Sequence, residues 1–302
     1  MNPSPLPWRQ WLPDFVLLAL LWGSSFLFMR EGAVSFGPVT TAWVRVLLAA
    51  LMLTPVVIWR GEVGQLRQHW RHTWVVGVLS SGLPFVLYAY ALLHISTGMS
   101  SILNATTPLF GALIAWCWLG ERLNSARALG LALGFGGVLL LVSDVPGGIG
   151  FRSGGTGLAV LACLGATSCY GLAGSFIQRY LKGVSPMVVA SGSLWGASVF
   201  LALPALWLWP EQAPSAHAWL ALGAAGLLCT ALAYWLYFRL ISRTGPARAL
   251  TVTYLIPVFA NVIGIVVLGE VITHWMLLGG LVVVLGTALA SGLVELRRAP
   301  KL

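Results

Sequence analysis

Ten runs of this chain are long and apolar, with few charges and all but one of these near the ends: residues 13–33, 38–58, 73–93, 97–118, 126–143, 156–177, 186–208, 218–240, 247–268 and 275–294. A helix needs about 20 mostly apolar residues to cross the hydrocarbon of a bilayer. Backbone groups in lipid find no water, so each run is predicted to be a helix. The pattern therefore predicts an all-α polytopic membrane protein with ten transmembrane helices.

Polar residues inside these runs recur at helical spacing. The third run carries Ser81, Pro84 and Tyr88; the fourth carries Ser100, Asn104, Thr107 and Gly111. Thr167, Tyr170 and Gly174 mark the sixth, Thr230, Tyr234 and Tyr237 the eighth, and Tyr254, Pro257 and Asn261 the ninth. Positions three, four and seven apart share a helix face, and a polar face is costly against lipid. Single serines and threonines are expected to bond neighbouring helices. The tyrosines and Asn104 are expected to line a wet cavity. Trp22 and Tyr170 lie near mid-span rather than at the edges where anchoring aromatics concentrate. Packing and ligand contact both remain open for them. The expected cavity set is Trp22, Tyr88, Asn104, Thr107, Tyr170, Tyr234, Tyr237 and Tyr254.

The second half of the chain echoes the first. Trp22-Gly23 matches Tyr170-Gly171, 148 residues on. Pro108 matches Pro257, Leu119-Gly120-Glu121 matches Leu268-Gly269-Glu270, Gly130 matches Gly279 and Gly137 matches Gly286, all 149 apart. A constant offset over most of the chain points to duplication. Two repeats are expected, 1–148 and 149–302, joined in the glycine-rich stretch 144–155. Five spans is an odd number, so the second copy is expected to enter the membrane inverted. Inverted repeats accompany transporters with a midplane site between the halves. Pro108 and Pro257 are expected to kink their helices, with a hinge, an exposed carbonyl near the site and a static kink all open. Glu121 and Glu270 are expected as structural ties or gate elements, and the small residues of the fifth and tenth spans as packing faces. A homodimer face is the alternative there, so a monomer or a homodimer is expected.

Composition agrees with the pattern. The 302 residues are 58% hydrophobic and 8% charged, with mean hydropathy +0.88, against about 25% charged in soluble domains. The net charge of +9 forms no soluble basic face, so no nucleic-acid partner is expected. Fourteen Lys and Arg residues fall in the loops on the side of both termini, against Arg30 and Arg152 on the other. By the positive-inside rule both termini are expected in the cytoplasm. The first apolar run lacks a small-residue cleavage site and reads as a span rather than a cleaved signal. Cys117, Cys163, Cys169 and Cys229 all lie inside spans, which speaks against disulfides and a metal cluster. No cofactor, metal or catalytic residue is expected. Arg45 is the one strongly basic residue deep in a span and needs a partner or water. Glu31, Glu270 and free carbonyls are candidate partners; a structural ion pair and a substrate carboxylate are both open. It is grouped with the possible gate residues.

Trp22-Gly23-Ser24-Ser25-Phe26, Arg45, the stretch from Pro108 to Leu123 and its echo from Pro257 to Glu270 resemble the drug/metabolite transporter superfamily, EamA branch. The resemblance covers essentially the whole chain. It implies a multi-pass protein of the bacterial inner membrane. The many tryptophans resemble those of amino-acid exporters in that branch, which implies efflux of aromatic and other neutral amino acids by alternating access. The eight acidic residues all fall in loops or at helix ends, so no buried carboxylate is available as a proton relay. Uniport or weak ion coupling is therefore expected. A proton-coupled drug or metabolite exporter is the alternative, and a membrane-embedded enzyme a remote one.

Overall fold

A computed structural model describes residues 8–143 and 155–292; the expected junction of the repeats lies largely outside the described residues. Those residues form helices joined by short turns, with no strand among them. Eight helices are long and apolar enough to cross a membrane, and His274–Ala290 is a shorter apolar one.

The first helix, Leu12–Trp59, has 48 residues. Straight, it would reach about 72 Å, more than twice a hydrocarbon core of about 30 Å. It is broken at Gly37, where φ is 74° and ψ is 163° and Pro38 follows. The break gives α1 (12–36) and α2 (38–59). A glycine without Cβ takes this conformation at no steric cost. The rest are α3 (Val63–Ala91), α4 (Thr97–Leu119), α5 (Ser125–Ser143), α6 (Thr156–Tyr180), α7 (Pro186–Trp207), α8 (Ala216–Thr244), α9 (Arg248–Leu268) and α10 (His274–Ala290).

Outward faces are apolar. Val34, Leu203, Leu220, Val266 and Val271 are each at least 70% exposed. A water-soluble surface rarely carries such a continuous apolar skin; hydrocarbon solvates it. Trp59 and Trp207, 148 residues apart, close α2 and α7 and are each 86% exposed, as anchoring aromatics at a membrane interface are.

Related positions in the two halves adopt related local structures. Gly120 and Gly269 end α4 and α9 in the left-handed region, at φ 71° and 65°. The next amide bonds back in each case, Glu121 N to Ala115 O at 3.2 Å and Glu270 N to Gly264 O at 3.0 Å. This is the wrapped glycine stop of a helix C-terminus, and it aims both glutamates the same way from their helices. Gly23 lies against Phe259 and the Ala260 backbone of α9, and Gly171 against Phe110 and Gly111 of α4. An added Cβ at either would collide, so the two glycines let α1 meet α9 and α6 meet α4 at close range.

The glycines of α5 and α10 face each other. A Cβ on Gly286 would fall on the Gly134 backbone, and one on Gly137 on the backbone of Val283 and Gly279. These small residues close an interface inside the chain.

Candidate functional site

Two kinds of helix distortion build the site. The first is interruption. α4 breaks between Thr97–Asn104 and Thr107–Ile114, and α9 passes through a 3₁₀ stretch, Thr251–Tyr254, before Ile256–Leu268. Pro108 and Pro257 each sit in the first turn of the segment that follows. The expected mid-helix kinks are thus restarts of the helix, because proline suits a first turn, where its missing N–H costs nothing. At the first break the Ala105 carbonyl is taken by a side chain, Thr287 Oγ1 donating to it at 3.1 Å, and past the second Asn261 Nδ2 donates to Pro257 O at 2.7 Å.

The second distortion is local widening. α3 has a π-helical stretch at Val78–Gly82 and α8 one at Ala224–Leu232. Such widening often lies at functional sites. In α8 it turns Thr230 toward α2: its hydroxyl donates to Ala225 O at 2.8 Å and accepts from Arg45 Nε at 2.9 Å.

These helices enclose a cavity of about 370 Å³, within the usual range of small-molecule sites, about 300–1,000 Å³. From α1 come Trp22, Ser25, Phe26 and Met29, one helix face at positions i, i+3, i+4 and i+7. Ser80, Phe85 and Tyr88 come from α3, and Asn104, Thr107 and Pro108 from the break in α4. α6 adds Tyr170; α8 adds Cys229, Thr230 and Tyr234; α9 adds Leu250, Thr253, Tyr254 and Ile256. Exposed Leu250 and Ser291 stand at one end, and Tyr254 Oη and Ser291 Oγ lie 3.2 Å apart there.

Inside, Tyr88 Oη donates to Asn104 Oδ1 at 2.9 Å. The Tyr88 ring lies edge-on to Phe26 at 5.8 Å and stacks on Tyr170 at 6.2 Å, spacings at which aromatic pairs attract. Arg45 is 4% exposed. Its Nη1 donates to Met29 Sδ at 2.6 Å, and its Cζ lies 3.9 Å from the centre of the Phe85 ring. It is the single charged side chain among the lining residues.

Of the eight residues expected in the cavity, seven line it. Tyr237 does not. It lies one turn beyond Tyr234, behind Trp22 at a ring distance of 5.3 Å, in a cluster with Leu18 and Leu236. Arg45 pairs with neither expected carboxylate. Glu31 faces His217 at 3.7 Å, and Glu270 takes Arg30 at 2.8 Å. Pro108 lines the cavity; Pro257, Glu121 and Glu270 do not.

Glu270 lies past the cavity's far end. Besides Arg30 it accepts from Thr97 N and Thr97 Oγ1, each at 2.8 Å, and from Gly98 N at 3.3 Å. It thus caps the first turn of α4, where unpaired amides favour an anion. Glu121 has a looser setting: Gln178 Nε2 at 3.2 Å and Arg127 Nη1 at 3.4 Å.

Sequence comparison agrees with the architecture. The chain matches the EamA-like transporter family over residues 11–143 and again over 157–292, and it belongs to that family, within the drug/metabolite transporter superfamily. It is 25% identical over 279 residues to the uncharacterized transporter YvbV of Bacillus subtilis, covering 91% of this chain and 89% of the relative. It is 28% identical over 288 residues to the uncharacterized inner membrane transporter YedA of Escherichia coli K12, covering 91% and 90%. A probable terminal-alkyne amino-acid exporter of Streptantibioticus cattleyicolor is 29% identical over 281 residues, with 91% of each chain covered. A solved crystal structure shares the fold, with a TM-score of 0.66 and 23% identity over 96% of this chain and 98% of that one.

Proposed function

We propose that this chain exports neutral amino acids, aromatic ones included, across a bacterial inner membrane by alternating access. The observation that carries the reading is the cavity itself. It combines aromatic walls for an apolar side chain with Asn104, Thr107, Thr230 and Arg45 for the polar end of a small zwitterion. The amino-acid exporter among its relatives supports the same class.

In this reading the chain crosses the membrane ten times, as two five-helix repeats in opposite orientations, with both termini in the cytoplasm. The end of the cavity at Leu250 and Ser291 then faces the cytoplasm. The end beyond Met29 is closed to the outside by the Arg30–Glu270–Thr97 tie. Glu121 and Gln178 are its counterparts on the inner side, held only at 3.2 Å. Export tightens the inner tie and releases the outer one, and the breaks before Pro108 and Pro257 serve as the hinges.

Transport is uniport or weakly coupled. No acidic side chain lines the cavity. Asp14, buried near the start of α1, is held by Arg239 at 2.9 Å and Arg243 at 3.0 Å, well away from it. The test is uptake of labelled phenylalanine, leucine and lysine by proteoliposomes. Saturable uptake of the first two is expected, and uptake confined to lysine contradicts the proposal.

A further inference from the structure

We propose that Arg45 is a carboxylate anchor and that the site accepts small apolar monocarboxylates, binding a net monoanion at least as well as the zwitterion of the same side chain; this rests on the amino-acid reading above.

Arg45 carries five N–H groups in a planar fork. Nε is taken by Thr230 Oγ1, and one N–H of Nη1 by a thioether, a weak acceptor. Nη2 and the second N–H of Nη1 have no protein acceptor among the described residues. No carboxylate lies within ion-pair distance of this guanidinium among them either. A cation at this depth, partnered only by a hydroxyl, a sulfur and the face of Phe85, keeps an unmet demand for negative charge. Three N–H groups thus remain free, and a pair of them across the two terminal nitrogens can meet the two oxygens of one carboxylate. The guanidinium sits over the Phe85 ring and is held by Thr230 and Met29 as well, so little side-chain freedom is lost on binding.

The cavity lining contains one formal charge and no acid. An ammonium placed there meets no negative charge to pair with. Asn104 Oδ1, which already accepts from Tyr88, the lining hydroxyls and aromatic faces such as those of Tyr88 and Tyr170 are its only partners, all of them uncharged. The carboxylate is therefore the required end of the ligand and the ammonium a dispensable one. N-acyl amino acids and 2-oxo acids with the same side chain belong to the accepted class.

The test holds the side chain constant and changes only the charge. Proteoliposomes bearing the full chain are offered labelled phenylalanine against unlabelled N-acetylphenylalanine, a monoanion, and phenylalanine amide, a cation. N-acetylphenylalanine is expected to compete at least as well as phenylalanine itself, and the amide at least tenfold less well. Arg45→Gln is expected to narrow that acid-to-amide ratio at least tenfold, and Arg45→Lys to keep part of it. The wild-type ratio needs no variant, so misfolding of Arg45→Gln leaves the test standing. Equal competition by acid and amide, or an undiminished ratio in a folded Arg45→Gln, overturns the inference while leaving amino-acid transport intact. If the phenylalanine set does not bind, the same three derivatives of leucine decide. The same order there keeps the anchor and sinks only the aromatic preference; no binding by either set sinks both proposals.

Discussion

Arg30 donates to Glu270 at 2.8 Å, joining the far end of α1 to the end of α9. The positions related to them by the repeat, Gln178 and Glu121, face each other at 3.2 Å. One pair is ionic and reinforced by three bonds from the first turn of α4; the other has a neutral donor and one long contact to Arg127. The same device therefore stands at both ends of the molecule in unequal strength. That inequality is the physical basis of the closure proposed at the Glu270 end. The Arg30 side chain is 36% exposed, so the ion pair alone contributes little. The Thr97 and Gly98 amides and the Thr97 hydroxyl that Glu270 satisfies would carry most of the proposed closure.

Glu270→Ala should loosen that end. Removing a carboxylate that accepts several charge-assisted bonds costs about 1.5–3 kcal/mol, enough to change the population of the closed state by roughly 10-fold or more. A cysteine at Met29, in a chain whose four cysteines are replaced, reports on it. Labelling by an impermeant maleimide from outside should rise severalfold in Glu270→Ala and little in Glu121→Ala. Equal, low labelling in both variants contradicts a gating role for Glu270.

Sidedness can be read by the same chemistry. Cysteines at Glu31 and Gln212 should react with an impermeant maleimide applied to intact cells, and cysteines at Gln68 and Ser125 should not. The reverse pattern puts the termini outside and turns the proposed direction of transport around.

Asn104→Leu should cut transport at least tenfold. It removes the acceptor of Tyr88 Oη at 2.9 Å and leaves a hydroxyl without its partner, a loss of about 1–3 kcal/mol. Ser24→Ala should stay within about twofold, because Ser24 Oγ bonds Leu21 O in its own helix at 3.0 Å and does not line the cavity. Initial rates normalised to protein in the membrane decide between them.

Packing of α5 on α10 yields a paired stability prediction. A side chain at Gly286 meets the Gly134 backbone, whereas one at Gly136 meets nothing within 4 Å. Gly286→Leu should lose about 1–3 kcal/mol by overpacking, seen as a drop of several degrees in Tm in detergent. Gly136→Leu should be close to neutral. Equal effects contradict the intramolecular role given to this glycine face.

Much of this was legible in the chain because membrane helices must be continuous and apolar. The glycine stops at 120 and 269 and the repeat offset are visible as letters. So was the cavity face of Tyr88, Asn104 and Tyr170, since polar groups have few other places to go. Other features have no local signature. The π-helical stretches of α3 and α8 carry no residue pattern that marks them, yet the one in α8 aims Thr230 at Arg45. Met29 and Phe85 touch Arg45 but read as ordinary apolar positions. Tyr237 shares a spacing with Tyr234, and only the packing of Trp22 shows that it lies behind the wall. Prolines 108 and 257 signalled a disturbance correctly, but not that each helix stops and restarts.

The most direct measurement is phenylalanine flux into proteoliposomes with proton, sodium and voltage gradients all clamped at zero. Uniport predicts saturable uptake that proceeds to equal concentrations inside and out, and no accumulation beyond that when a proton gradient is imposed. Flux that vanishes at zero gradient, together with uphill accumulation driven by protons, contradicts it.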